Sequence, residues 1–469
     1  MEEAESYIER ITRLANRNEE LKTQLENLVS RYSAIESQNE RYQNLLLKYS
    51  LETEEKPREA RKLAKRLRMV SVLYVSVRGF DRLYKLSNPG PMVDLLDELY
   101  LALDDIAFLH NVVKLKSIGD IMLFAAGLTG ENRTNPIDIV NVALEMQRAA
   151  SNLKTSTGEV FWSLKMGIHT GPVLAMPSGS KNTPYNLSGE SLNIACRMGD
   201  ATPENTISVS VMSYELVKEF FESELIGKMP VKYKGDLGMF EIKGLLPELQ
   251  MPGQPTVPNQ TYKTRYALTK FMDIQEELLD YLEHKLPDDL YYHNIKHTID
   301  VITEVELIGW AEDVSEEDIL LLKLAALFHD AGHTISYKDH EYYGTVMARE
   351  KLASYDFSKE QIDTVCRLIM ATKMPPEPTD ILEQIICDSD LDYLGRIDFI
   401  PVSNALYNEL KERNMVGAWD EWNKMQLKFI SNHQYFTVTA QNLREVNKQQ
   451  QIERLEQLIQ ESSVIENRD

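Results

Sequence analysis

The sequence is poor in cysteine and in positive charge, and it lacks a long apolar run. Its three cysteines among 469 residues are an odd count in apolar surroundings, which excludes a disulfide framework and favours core positions. The 51 Lys and Arg face 73 Asp and Glu, and a net charge of −22 argues against a nucleic-acid polymer as substrate. No segment approaches the roughly 18 apolar residues of a membrane span, and the first residues do not resemble a signal peptide. We expect a cytoplasmic protein that binds small molecules, with no membrane segment.

Histidine is concentrated in one short stretch of the second half of the chain. Five of the nine histidines occur there, and an aspartate adjoins one of them. These residues are His293, His297, His329, Asp330, His333 and His340. Imidazole and carboxylate groups suit borderline divalent metals, and two histidines four residues apart on a helix project from one face. A single histidine in an apolar run is usually a core residue, but five beside an aspartate favour a metal site.

This stretch, with its opening Tyr-His-Asn-Ile-Lys-His at residues 292–297, resembles a known family. Over about residues 265–440 it is similar to the HD superfamily of metal-dependent phosphohydrolases, and the opening resembles cyclic nucleotide phosphodiesterases. The resemblance implies a divalent ion (Mn, Mg, Fe or Zn) and a small nucleotide substrate. It assigns one metal to His297, His329, Asp330 and Asp390, with Asp388 as the reserve for the last.

The same resemblance supplies the remaining roles in the HD region. It makes His293, one helical turn before His297, the general acid that protonates the leaving oxygen. His333 and His340 are then ligands of a second metal or groups that orient the phosphate. One ion and two ions are both compatible with these residues.

Nearer the start of the chain, four short sequence blocks resemble class III nucleotidyl cyclase domains. The resemblance covers about residues 68–250. The blocks are residues 72–80, 114–120, 167–172 and 185–198. The resemblance implies that Lys116 reads the base, that Asp120 binds magnesium, that Asn193 orients the ribose and that Arg197 stabilises the transition state. Asn186 stands where adenylate cyclases usually have a base-reading aspartate, which leaves the nucleotide preference open.

Ser76 stands at the first metal position of this pattern, where the family has an aspartate. A hydroxyl in place of a carboxylate removes a full charge from a two-magnesium site. A homodimer cannot restore that charge, since both metal carboxylates come from the same protomer. We favour a degenerate domain that binds a nucleotide or dimerises and so regulates the HD module. A weak cyclase and a purely structural domain are the alternatives.

The first fifty residues repeat apolar side chains in alternating steps of three and four. The a positions are Ile11, Asn18, Leu25, Tyr32, Asn39 and Leu46, and the d positions are Leu14, Leu21, Leu28, Ile35, Tyr42 and Tyr49. Such heptads predict a coiled coil, and the two asparagines at a positions favour a parallel pair in fixed register. We therefore expect a parallel homodimer. A long amphipathic helix folded onto its own protein is the alternative.

These patterns together predict a multidomain fold. Its segments are a parallel coiled coil (1–66), an α+β class III cyclase-like domain (67–248), a proline-rich linker (249–262), an all-α HD domain (263–440) and a C-terminal helix (441–469) packed on the body or on a partner. Strands are predicted at 70–77, 121–126 and 161–168, and a basic stretch at 58–68 is interpreted as a solvated helix face. Capping-box serines at Ser315 and Ser358 mark two helix starts.

The sequence thus favours a phosphodiesterase regulated by a cyclase-like domain in a signalling dimer. Lys296 and Lys373 are the local cations expected to offset the acidic field near a bound phosphate. Two alternatives stay open: an active cyclase that carries an HD regulatory domain, and a non-catalytic signalling scaffold.

Overall fold

The computed structural model describes residues 64–128, 130, 132–177, 185–231 and 235–466. The heptads of the predicted coiled coil lie outside the described residues. In the part of the chain that is described, no helix combines the length and the apolar character needed to cross a membrane.

An α+β domain comes first. Its strands are β1 (Lys65–Arg78), β2 (Val113–Ile118), β3 (Ile121–Ala126), β4 (Ser163–Pro177), β5 (Tyr185–Ser188), β6 (Thr206–Ser210), β7 (Phe221–Val231) and β8 (Gly235–Leu245). Its helices are α1 (Phe80–Leu83), α2 (Gly90–Leu109), α3 (Asn135–Asn152), α4 (Glu190–Ala201) and α5 (Val211–Val217). The three predicted strands correspond to β1, β3 and β4.

The sheet of this domain is mixed, with strand order β2-β3-β1-β4-β6-β8-β7. β1 pairs antiparallel with β3, placing Ser76 opposite Ile121, whereas β4 and β6 run parallel. β5 pairs antiparallel with the end of β4, with Leu174 opposite Ser188. Apolar side chains of β1, β3 and β4 pack against α2 and α3 in one core, in which Phe124 and Met166 are fully buried. This arrangement holds the β2–β3 turn rigidly beside the end of β1.

The second region is almost wholly helical. Its helices are α6 (Gln260–Lys285), α7 (Ile295–Ala311), α8 (Glu316–Phe328), α9 (His340–Ser354), α10 (Lys359–Ala371), α11 (Ile381–Asp390), α12 (Phe399–Glu412), α13 (Trp419–Asn432) and α14 (Val438–Glu466). The capping boxes are present: Ser315 accepts from the Asp318 amide at 3.1 Å, and Ser358 accepts from the Gln361 amide at 3.2 Å. Helix α8 lies at the centre, since its side chains from Ile319 to Phe328 are nearly all buried.

Three segment boundaries differ from the sequence predictions. The expected helix face at residues 58–68 is wrong for Lys65–Arg68, which begins β1, because Leu67 is buried in the sheet domain. The expected extended linker contains the short strands β9 (Gln250–Met251) and β10 (Gln254–Pro258), and α6 begins within it, capped by Asn259. Helix α14 begins at Val438 and packs on its own chain, with Leu455 buried against α12 and α13.

Helix α6 belongs to both cores. Tyr262 in its first turn joins the core of the sheet domain, where its ring contacts Phe220 edge-on at 5.5 Å. Its later turns supply Phe271 and Ile274 to the core of the helical domain. Polar contacts reinforce the first half, because Tyr266 Oη donates to Asp138 Oδ1 on α3 at 2.7 Å. The two domains are therefore joined through one continuous helix.

Candidate metal centre and nucleotide cavity

The histidines of the HD region lie at or near the ends of several helices, and their side chains converge. Asn294 caps α7 by accepting hydrogen bonds from the amides of Lys296 (2.9 Å) and His297 (3.3 Å), which fixes the first turn of α7. His329 ends α8, and Asp330 follows it directly. Gly332 allows the next turn to approach α9, since a Cβ there would lie 2.0 Å from the His340 carbonyl oxygen.

One group of potential ligands consists of His297, His329 and Asp390. His297 Nε2 lies 3.0 Å from Asp390 Oδ1 and 3.3 Å from His329 Nε2. Their ligand atoms all lie within 4.8 Å of one another, and His329 is almost fully buried. Three convergent nitrogen and oxygen atoms at this separation suit a divalent cation.

Asp330 bridges this group to a second one. Its Oδ2 lies 3.4 Å from His297 Nε2 and 3.2 Å from His329 Nε2. Its Oδ1 faces the other way, 3.8 Å from His333 Nε2 and 3.4 Å from His340 Nε2. A carboxylate that presents one oxygen to each of two histidine groups could supply a ligand atom to an ion in either group.

The second group is formed by His293, Asp330 and His333. Both ring nitrogens of His333 and Oδ2 of Asp330 are buried without a hydrogen-bond partner. Buried polar atoms are costly unless they are paired. Because these orphaned atoms are imidazole nitrogens and a carboxylate oxygen, the residues present fit divalent metal ions.

The surroundings of Asp330 and His333 favour the protonation states that bind metals. Burial opposes charge on Asp330, but the facing His329 and His293 outweigh it and hold the pKa of Asp330 well below its usual range. Burial lowers the pKa of His333 to about 3. His333 therefore carries no charge at neutral pH, and neutral imidazole is the form that binds metals.

Glu409 on α12 orients His293, and no local sequence pattern marks it. The Glu409 carboxylate is fully buried, accepts the Tyr292 amide at 2.9 Å and lies against His293 Nδ1. Tyr337 Oη also donates to it, at 3.1 Å. Burial alone would raise the pKa of Glu409, but its contacts with His293 and with the amides of Tyr292 and His293 together outweigh burial and lower this pKa to about 2. His293 thus faces a permanent negative charge.

The three aspartates near the end of α11 have different surroundings. Asp390 faces the histidines, as described above. Asp388 accepts the amides of Phe436 (2.9 Å) and Thr437 (2.7 Å), and Asp392 pairs with Arg444. The geometry therefore brings Asp390, rather than the reserve Asp388, into the ligand group.

A cavity of about 300 Å³ opens beside the ligand groups. His293, Asp330, His340 and Asp390 are part of its lining. Most of the other lining residues are apolar or aromatic: Tyr292, Met374, Leu391, Tyr393, Leu394, Phe399, Leu406, Leu410, Trp422, Met425, Phe429 and Ile430. Its volume and lining are typical of a small-molecule site. The chain thus places an apolar chamber directly against the charged groups.

Gln426 introduces a buried amide into this apolar wall. Its Oε1 accepts a hydrogen bond from Ser403 Oγ at 2.6 Å, which holds the amide in one orientation. The sequence analysis missed Gln426 and Glu409, which lie far along the chain from the histidines. The two lysines predicted near the phosphate are exposed and paired with carboxylates instead: Lys296 with Asp300 at 2.7 Å and Lys373 with Asp339 at 3.3 Å.

The cyclase-like residues lie on three elements of the α+β domain. Lys116 is exposed near the end of β2, and Asp120 occupies the β2–β3 turn, where it contacts Ser76. Asn193 and Arg197 are exposed one turn apart on α4. The remaining residue, Asn186, is exposed on β5. The structure thus brings Asp120 to the position of the missing aspartate and presents Asn193 and Arg197 on one face.

Comparison with known proteins matches the α+β domain and the helical domain to two different families. Residues 63–244 match the family described as "Adenylate and Guanylate cyclase catalytic domain", and residues 294–392 match "HD domain". Human guanylyl cyclase C is 31% identical over 198 residues, covering 41% of this chain and 18% of that protein. An adenylate cyclase of Mycobacterium tuberculosis (strain H37Rv) is 30% identical over 206 residues, covering 43% and 46% respectively.

These relatives are matched only in part. The chain spans less than half of the length of either of these curated relatives. Among solved structures, the guanylate cyclase domain of RhGC from Catenaria anguillulae in complex with GTP is 27% identical with a TM-score of 0.35, covering 39% of this chain and 100% of that one. By sequence family, the chain joins a class III adenylate/guanylate cyclase catalytic domain to an HD domain.

Proposed function

We propose that the protein is a metal-dependent cyclic nucleotide phosphodiesterase whose HD site is regulated by its cyclase-like domain. The observation that carries the proposal is Asp330, whose two oxygens face different histidine groups at the wall of the cavity. The proposed ligands are His297, His329, Asp330 and Asp390 on one side, and His333 and His340 on the other. Such ions, when bound, lower the pKa of water and offset charge on phosphoryl oxygens.

His293 is the proposed acid for the leaving group. Hydrolysis adds water to phosphorus and breaks one P–O bond, and the departing oxygen must then take up a proton. His293 lines the cavity beside Asp330, and its Nδ1 is held by Glu409, which leaves Nε2 for a substrate. Burial would lower the pKa of His293, but the Asp330 and Glu409 carboxylates outweigh burial and raise it. His293 therefore holds its proton to a higher pH than a free imidazole, as an acid requires.

The apolar wall favours a nucleotide over a simple phosphate ester. Phe429 and Tyr393 offer aromatic surface to a base, and Gln426 offers a donor and an acceptor to its polar edge. Ser403 acts on the base only through Gln426, by fixing its amide. A phosphate held at the ligand groups and a base held at Gln426 would share the cavity.

Helix α6 supports regulation by the cyclase-like domain. Arg133, which follows β3, donates its backbone amide to Asp273 Oδ2 on α6 at 2.9 Å, and its guanidinium contacts the same carboxylate. Asn141 Nδ2 donates to Tyr262 Oη at 2.6 Å. A change in the position of α3 would reach the helical core through these contacts. We further propose that the protein acts as a homodimer in the cytoplasm, joined by the heptads of its first fifty residues.

The proposal is tested by measuring metal content and hydrolysis of 3′,5′-cyclic AMP and GMP by the whole protein. His329→Ala/Asp330→Ala should lose bound metal and hydrolysis together, whereas the exposed His284→Ala should lose neither. A wild-type protein that binds metal but hydrolyses neither nucleotide would contradict the proposed substrate class.

An active cyclase is the second candidate, favoured by the exposed Lys116, Asn193 and Arg197 and by the partly exposed Asp120. It predicts cyclic product from ATP or GTP with Mg or Mn, abolished by Asp120→Ala. A non-catalytic scaffold predicts neither bound metal nor any effect of the His329 and Asp330 substitutions.

A further inference from the structure

The carboxylate of Asp120 is already engaged by two side chains of β1. Ser76 Oγ donates to Asp120 Oδ2 at 3.0 Å, and the Arg78 guanidinium lies 3.6 Å from the same oxygen. The backbone also fixes the turn, since the Val77 amide donates to the Asp120 carbonyl at 2.9 Å. Ser76 is fully buried, so this hydrogen bond is shielded from water.

These residues do not fit the pair of magnesium ions implied by the cyclase family. Magnesium dehydrates reluctantly and relies on carboxylate ligands, and Asp120 is the carboxylate left after Ser76 replaces the other. Arg78 places a positive charge where a cation would approach Asp120 Oδ2. At such a distance in water, two unit charges repel by about 1 kcal/mol, and by more for a dication.

We infer that Arg78 replaces the metal cation of this site. The positive charge beside Asp120 is carried by the chain itself, and the cyclase-like domain holds its β2–β3 turn without a bound divalent ion. The pair is about one-third exposed on each side, so it contributes little to stability. Its consequence is chemical, since an anionic ligand that reaches this turn meets the positive charge of the Arg78 guanidinium. This inference concerns the cyclase-like domain and does not depend on hydrolysis at the HD site.

The test counts manganese bound per chain in the whole protein by electron paramagnetic resonance. The HD site contributes equally to all variants, so differences report on the cyclase-like site. Asp120→Asn should leave the count of wild type unchanged, because Asp120 binds no ion there. The variant Ser76→Asp/Arg78→Leu should gain bound manganese, because it restores the second carboxylate and removes the guanidinium. Ser76→Asn/Arg78→Leu is the matched control, of similar size but without the charge, and should gain none.

Two results would overturn the inference. The first is a lower manganese count in Asp120→Asn than in wild type. The second is a Ser76→Asp/Arg78→Leu protein with unchanged circular dichroism that gains no manganese. The Ser76→Asp substitution places a charge at a buried position and could prevent folding. In that case Asp120→Asn alone tests the inference, since Asp120 lies in a partly exposed turn. Loss of hydrolysis at the HD site is a separate measurement and changes neither outcome.

Discussion

The buried carboxylate of Glu409 lies against Nδ1 of His293, although the two residues are 116 positions apart in the sequence. Glu409 also accepts the backbone amides of Tyr292 and His293, which fixes the start of the Tyr-His-Asn run. The contact sets both the direction in which the imidazole points and its charge. Several expectations depend on this pair and on the residues that surround it.

Glu409→Gln should lower the hydrolysis rate and shift its pH dependence. The protonated form of His293 is the active one, so activity is present below the pKa of His293 and is lost as pH rises through it. Removing the Glu409 charge lowers that pKa, so the loss begins at a lower pH. A fall of one pKa unit reduces the rate about tenfold at a pH above it. The exposed Glu412→Gln is the control, and an identical pH–rate profile for both variants would disprove the role of Glu409.

Asp390→Asn and Asp388→Asn should have opposite effects. Asp390→Asn removes a carboxylate from the His297 and His329 group, so metal content and hydrolysis should fall together. Asp388→Asn weakens the hydrogen bonds to Phe436 and Thr437, so stability should fall by about 1–3 kcal/mol while metal is retained. Elemental analysis and chemical denaturation of each variant distinguish the two. Metal loss in Asp388→Asn but not in Asp390→Asn would show that Asp388, and not Asp390, is the metal ligand.

Ser403→Ala should alter discrimination between cyclic AMP and cyclic GMP. Without the Ser403 hydroxyl, the Gln426 amide is free to rotate and can present either its oxygen or its nitrogen to the base. A lost neutral hydrogen bond corresponds to about 1 kcal/mol, so the ratio of kcat/KM values should change about five- to tenfold. The exposed Ser354→Ala should leave the ratio unchanged. A preserved ratio in Ser403→Ala would argue against base recognition by Gln426.

Arg133→Ala should destabilise the junction between the domains. Asp273 is buried, and without Arg133 its charge is left largely uncompensated, which costs about 1–3 kcal/mol of unfolding free energy. A double-mutant cycle with Asp273→Asn measures the coupling by chemical denaturation. Arg349→Ala, which breaks an exposed pair with Asp363, should have no measurable effect. Equal stabilities for Arg133→Ala and Arg349→Ala would show that the junction contact is dispensable.

Replacement of Asn18 and Asn39 by isoleucine tests the predicted coiled coil. Polar a positions reduce stability in exchange for a fixed register, so the double variant should be more stable and should form higher oligomers. Light scattering measures the mass of each protein, and Asn44→Ile, outside the a and d positions, is the control. A monomeric wild-type protein would rule out the parallel homodimer.

The sequence predicted those features that are recorded locally. The Tyr-His-Asn-Ile-Lys-His run and the His-Asp pair depend on helical spacing, and the capping serines depend on three-residue contacts, so each is legible in a short window. The preference for Asp390 over Asp388 came from the family resemblance and not from local spacing, because residues two apart on a helix point in nearly opposite directions and only the rotation of α11 decides. Glu409 and Gln426 reach the site through tertiary packing of α12 and α13 and leave no local pattern. Within the described residues, Lys65–Arg68 was misread as helical because residues four apart share one face of a strand as well as one face of a helix.

Helix α6 couples the two domains because it supplies side chains to both cores. Tyr262 completes one core and Phe271 the other, so a cut before Tyr262 or after Phe271 would leave apolar surface exposed on at least one fragment. The boundary suggested by family matches, between residues 244 and 294, is therefore not a boundary of cooperativity. Heating should therefore unfold the cyclase-like and HD regions in a single transition.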